Sequence, residues 1–146
     1  MKKLFLIILI ALAPSLCAED KGWVTLYNGK DLTGWQTTGN WQPQKDGSLL
    51  IKPRSGERGW QRYSAYLWST KRYKDFVLHV EYKYPPKGNS GIHFRVGDLK
   101  NPVKTGLEAQ VLDSYGKKKM GHHDHGGIIR TVGASKNMSK KAGEWN

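Results

Sequence analysis

Hydrophobic and polar side chains alternate over three neighbouring stretches of this chain, with the two-residue period of a β-strand. Phe76–Tyr84 places Phe76, Leu78, Val80 and Tyr82 on one face and Val77, His79, Glu81 and Lys83 on the other. Gly91–Val96 sets Ile92, Phe94 and Val96 against His93 and Arg95. Leu107–Asp113 sets Leu107, Ala109 and Val111 against Glu108 and Gln110. Laid side by side, the three predict a sheet with one greasy face. The opposite face would carry His79, Glu81, His93, Arg95, Glu108 and Gln110, which is the composition of a site and not of an ordinary solvent surface.

Shorter β-rich runs occur at Val24–Tyr27, Gly39–Pro43, Ser48–Lys52, Ala65–Ser69 and Gly127–Val132. Turn residues punctuate them: Asn28-Gly29, Asp46-Gly47, Pro85-Pro86, Gly88-Asn89 and Gly126-Gly127. Asp46-Gly47 is a two-residue hairpin signal. A helical period is almost absent after the first 18 residues, and no internal repeat or low-complexity linker divides the chain. Regular short strands with Gly-rich turns predict a single all-β domain over residues 19–146, a sandwich or barrel.

The first 18 residues read as a secretory signal. Lys2 and Lys3 precede the apolar run Leu4–Ala13, which is too short to span a bilayer, and Leu16-Cys17-Ala18 offers a cleavage point before Glu19. A lipoprotein signal with Cys17 as the lipidated residue is the rival, though Leu16 is bulky for that position. Either way the pattern predicts a periplasmic or secreted bacterial protein with no transmembrane segment in its mature chain. Cys17 is the only cysteine, so stability after cleavage rests on packing and not on disulfides.

The net charge of +12 falls by two when Lys2 and Lys3 are removed. On an exported protein this basic balance points to anionic polysaccharide or cell envelope as a partner. Much of it sits in loops such as Lys117–Lys119 and Lys140–Lys141, as on a plain solvated surface. No helix-turn-helix, zinc-finger spacing or RNP-like strand supports a nucleic-acid partner.

Five phrases, in order, resemble one family. They are Leu26-Tyr27-Asn28-Gly29-Lys30-Asp31-Leu32-Thr33-Gly34-Trp35, Tyr73-Lys74-Asp75-Phe76-Val77-Leu78, Gly88-Asn89-Ser90-Gly91-Ile92-His93-Phe94-Arg95, Gly106-Leu107-Glu108-Ala109-Gln110-Val111-Leu112-Asp113 and Gly143-Glu144-Trp145-Asn146. Together they are similar to the 3-keto-disaccharide hydrolase domain, formerly domain of unknown function 1080. The resemblance implies a concanavalin A-like jelly-roll β-sandwich, an exported bacterial protein and a carbohydrate ligand. It also implies further strands beyond Asn146, so the chain is expected to be truncated at its C-terminus.

A jelly roll of this kind binds sugar on the concave face of one sheet. Carboxylate and amide groups match vicinal hydroxyls, and arginine offers a planar fork of donors. The resemblance places Arg95 and Glu108 at motif positions, which makes them the expected catalytic pair; a structural Arg–Glu tie between strands is the alternative. His93, Gln110, Glu81, Asp113, His123 and Asp124 are the expected substrate-binding residues. Asp113 either caps a turn or reaches the rim of the site.

In a 3-ketoglycoside the ketone acidifies the hydrogen at C2. A base removes it, the enolate expels the group at C1, and water adds to complete a net hydrolysis. Glu108 or a histidine would be the base, and Arg95 or a bound divalent metal would hold the enolate. A direct glycosidase pair of Glu81 and Glu108 is a competing reading. So is a non-catalytic carbohydrate-binding or envelope interaction module on the same scaffold. His122-His123-Asp124-His125 would put His123 and His125 on one face if extended, as two ligands of a metal, or would form a polar loop free of any ligand. Trp60, Tyr63, Tyr66 and Trp68 would either stack on sugar rings or fill the core.

Overall fold

The computed structural model describes residues 22–57 and 62–146. The expected signal sequence, with Cys17, and Trp60 lie outside the described residues. Among the described residues six strands are present: β1 (Trp35–Gln36), β2 (Trp41–Pro43), β3 (Leu49–Ile51), β4 (Trp68–Ser69), β5 (Asn89–Phe94) and β6 (Leu107–Leu112). A 3-10 turn spans Tyr63–Ala65, and one four-residue helix, α1 (Pro102–Thr105), interrupts the β5–β6 connection. No helix among the described residues is long and apolar enough to cross a membrane. The expected all-β class holds, as three antiparallel pairs: β1 with β4, β2 with β3, and β5 with β6.

The β2–β3 hairpin forms at Asp46-Gly47 as predicted, but its loop has three residues, 45–47, and not two, closed by the Gln44 N–H on the Ser48 carbonyl at 2.9 Å. Gly47 takes a left-handed φ of 81°, which a residue without a Cβ adopts at little cost. Asp46 then accepts hydrogen bonds from the amide and hydroxyl of Ser48 at 3.0 and 2.7 Å. Trp41 of β2 is tied across to the 3-10 turn by its indole N–H, which donates to the Ala65 carbonyl at 2.9 Å.

The β5–β6 pair is the best-formed part of the molecule, with six residues on each strand and Cα partners running from Asn89↔Leu112 to Phe94↔Leu107. Paired residues in an antiparallel ladder share a face. One face therefore carries Ser90, Ile92, Phe94, Leu107, Ala109 and Val111, and the other Asn89, Gly91, His93, Glu108, Gln110 and Leu112. Beyond β6 the backbone of residues 126–129 lies alongside, with Gln110 N–H donating to the Gly127 carbonyl at 2.8 Å and Ile129 N–H to the Glu108 carbonyl at 2.9 Å. The expected strand Gly127–Val132 is thus reduced to single bridges, Ala109↔Ile128 and Ile128↔Val132.

Two expectations fail. Val24–Tyr27 forms no strand. Phe76–Tyr84 is not a third strand of the β5–β6 sheet: residues 71–81 are exposed, and among the described residues no backbone–backbone hydrogen bond joins them to another segment. Only the end of this stretch is paired, where Tyr82 exchanges hydrogen bonds with Asn146 at 3.1 and 2.8 Å and the Tyr84 carbonyl accepts from Gly143. Alternation fits a stretch to a pleated surface, but strand structure needs a neighbour for its N–H and C=O groups. β5 also ends earlier than expected, because Arg95 has a left-handed φ of 54°.

Candidate active site

The polar face of β5–β6 brings His93 directly opposite Glu108 and Gly91 opposite Gln110. The lack of a side chain at Gly91 is what seats Glu108. A Cβ there would lie 2.7 Å from both Cγ and Cδ of the glutamate, so the carboxylate folds across the glycine. Its Oε2 ends 3.6 Å from His93 Nε2. The His93 side chain is only 5% exposed and that of Glu108 21%. Burial pushes the Glu108 carboxyl above its ordinary range, opposed by the positive charge of Arg130, and pushes the His93 imidazole below its own. A carboxylate displaced towards neutrality beside a neutral imidazole is suited to taking up and releasing a proton.

Aromatic rings wall this pair. Tyr66 stacks on His93 with centroids 5.3 Å apart and planes 28° from parallel, and Trp68 lies 5.9 Å from the same imidazole. Tyr66 and Trp68 are themselves 5.8 Å apart, so the three rings form one cluster. Burial first, and the Glu108 charge second, hold the Tyr66 phenol protonated, with its pKa pushed up to about 12. Gln110 is buried and its amide N–H donates to Asn89 Oδ1 at 3.2 Å. His93 Nδ1 and Gln110 Oε1 are buried with no hydrogen-bond partner among the described residues, which marks both as polar atoms with capacity to spare.

The remaining expected residues are dispersed. Arg95 follows the end of β5, its side chain is 56% exposed, and it pairs with Asp75 at 3.5 Å and not with Glu108. Glu81 and His79 lie on the exposed, unpaired stretch, so no ladder brings them beside Glu108. Asp113 accepts from the Lys87 amide at 2.9 Å, pinning the start of the hairpin. Asp124 is buried, bound through both oxygens by Lys117 at 2.7 Å and by the Gly121 amide at 2.6 Å. Those contacts hold its carboxyl below the usual range and make it the clasp of its loop.

The histidines of that loop diverge. His123 is exposed, while His125 is buried and shares a 3.2 Å hydrogen bond with the Tyr82 hydroxyl. His122 is held by the Arg130 amide, which donates to its Nδ1 at 2.9 Å. Among the described residues no three His, Cys, Asp or Glu side chains gather as metal ligands. Sequence reasoning missed Arg130 altogether. Its backbone has a left-handed φ of 62°, its guanidinium is anchored on the Val103 carbonyl, and its positive charge bears on Glu108. An isolated arginine after Ile128-Ile129 carries no pattern that would single it out.

The fold is all-β, and it sets a half-buried glutamate beside a histidine among aromatic rings. The chain belongs to the family of 3-keto-alpha-glucoside-1,2-lyase-like domains, whose model matches residues 22–146. It is similar to a 3-keto-disaccharide hydrolase of Bacteroides thetaiotaomicron, with 26% identity over 152 residues covering 90% of this chain and 52% of the relative. The chain therefore spans about half the length of the curated relative it matches. A solved structure from Parabacteroides distasonis, described as that of a candidate glycosyl hydrolase, shares the fold with a TM-score of 0.57 at 23% identity, covering 82% of this chain and 58% of the other.

Proposed function

We propose that this chain carries the active site of an exported hydrolase that cleaves 3-keto-glycosides or 3-keto-disaccharides by elimination and hydration. The observation that carries the reading is the buried Glu108 carboxylate, seated over Gly91 and facing His93. The name of the Bacteroides relative supports a keto-disaccharide as substrate, and the family description supports an elimination across C1 and C2.

The chemistry follows from the acidity of the C2 hydrogen. Glu108 takes that proton, and the electron pair moves into the C3 carbonyl to give an enolate. The enolate re-forms the ketone as the C1–O bond breaks, leaving a C1=C2 double bond and an aglycon oxygen that takes up a proton. Water then adds at C1, C2 regains a proton, and the sum is hydrolysis. The upward displacement of the Glu108 carboxyl strengthens it as a base at neutral pH. Arg130 takes the role first expected of Arg95, because its charge bears on Glu108 whereas Arg95 pairs with Asp75. His93 and Gln110 lie buried beside Glu108 on the same face, where they brace the base from behind and do not reach the sugar directly.

Incubating the chain with an aryl 3-ketoglucoside and following aglycon release tests the reading. Release by the wild type, and its loss by roughly 100-fold or more in Glu108→Gln, is the expected result. Sugar binding without release would overturn the enzyme and leave a carbohydrate-binding module.

A further inference from the structure

Tyr66 is a titratable group at the site that this mechanism has not used. Its ring is committed to the cluster with His93 and Trp68, at centroid distances of 5.3 and 5.8 Å, with Tyr63 edge-on at 5.7 Å. A ring so engaged is poorly placed as a platform for sugar. Its hydroxyl, by contrast, makes no hydrogen bond among the described residues, although Tyr63 and Trp68 beside it are tied by the Trp68 indole N–H on the Tyr63 carbonyl at 3.0 Å. Tyr66 rests on the imidazole that lies 3.6 Å from the Glu108 carboxylate, close enough for the Glu108 charge to bear on its phenol.

Resting on the reading of the site as an eliminating enzyme, we propose that Tyr66 is the catalytic acid that protonates the departing aglycon oxygen. The two proton transfers are then divided between neighbouring groups. Glu108 accepts the C2 proton; the enolate pair forms the C1=C2 bond as C1–O breaks; the aglycon oxygen takes the Tyr66 hydroxyl proton and leaves as an alcohol. The phenolate regains a proton from the water that adds at C1, and the C2 proton returns from Glu108, so both groups end as they began. Burial beside a carboxylate keeps the phenol protonated until the leaving oxygen becomes the stronger base. The cluster serves this role by fixing the ring, so the hydroxyl is positioned without a hydrogen bond of its own.

The test compares Tyr66→Phe with wild type on two substrates, a nitrophenyl and a methyl 3-ketoglucoside. Nitrophenolate leaves without assistance, whereas methoxide needs a proton. Release from the methyl glycoside should fall on the order of 100-fold or more, and release from the nitrophenyl glycoside by less than about threefold. Exchange of the C2 hydrogen with deuterated water should persist in Tyr66→Phe and vanish in Glu108→Gln. Equal losses on both substrates, or loss of C2 exchange in Tyr66→Phe, would overturn the acid role while leaving the enzyme intact. Absence of release and of exchange in the wild type would overturn the function and the acid together. An unchanged thermal midpoint in Tyr66→Phe separates the chemical loss from a collapse of the ring cluster.

Discussion

Gly91–Phe94 and Phe76–Val80 carry the same alternation of apolar and polar residues, and the molecule treats them oppositely. The first lies in a six-residue ladder with β6, which buries Val111 on one face and Gln110 on the other. The second has no ladder, and Phe76, Val77, Leu78 and Val80 are all exposed, Val77 at 82%. Side-chain period alone does not separate them. The difference is the partner: β6 returns beside β5 after a short connection closed by Gly97 N–H on the Thr105 carbonyl at 3.1 Å. Within residues 22–57 and 62–146 no strand lies beside Phe76–Val80. Polar side chains therefore gather where a ladder holds two strands in register, as His93 and Glu108 do, and elsewhere stay scattered.

Disturbing that register at its closest approach should have the largest effect. Gly91→Ala would drive a methyl group into Glu108 and displace the carboxylate by about an ångström, for an expected loss near 100-fold in kcat/KM. Steady-state kinetics on a 3-ketoglucoside would show it, and an unchanged rate would mean that the seating of Glu108 is irrelevant to turnover. Next come paired truncations of the two stretches. Val111→Ala should cost about 2 kcal/mol of stability, and Val77→Ala less than about 0.5 kcal/mol, as read from denaturant midpoints. Equal costs would show that Phe76–Val80 is packed in solution as well as the hairpin is.

The smallest effects come from titration. As the proposed base Glu108 would have to be ionised, so the acid limb of kcat/KM should lie above the ordinary glutamate value of 4.5. For stability the signs are opposite for the two partners. Glu108, with its folded pKa raised, contributes fully below 4.5 and loses that contribution as pH rises through the folded value. His93, with its folded pKa lowered, contributes above 6.5 and loses that contribution as pH falls through its folded value. Thermal midpoints of wild type and Glu108→Gln across this range would isolate the first term, and identical profiles would mean that Glu108 is not buried as described.

Much was legible in the residues themselves. The faces of β5 and β6, the Asp46-Gly47 hairpin and the all-β class follow from period and turn chemistry, which are local properties of a chain. So does the placing of His93, Glu108 and Gln110 on one face, once the two strands pair in the register that brings their apolar faces together. What strand pairs with what is not local. The exclusion of Glu81 and His79 from the sheet was decided by which segments meet in space, and the loss of Arg95 to Asp75 by where β5 ends. The same holds for the parting of His123 from His125 and the arrival of Arg130 and Tyr66 at Glu108. Those residues are distant or patternless in sequence, and only the packed chain brings their charges and rings within reach of one another.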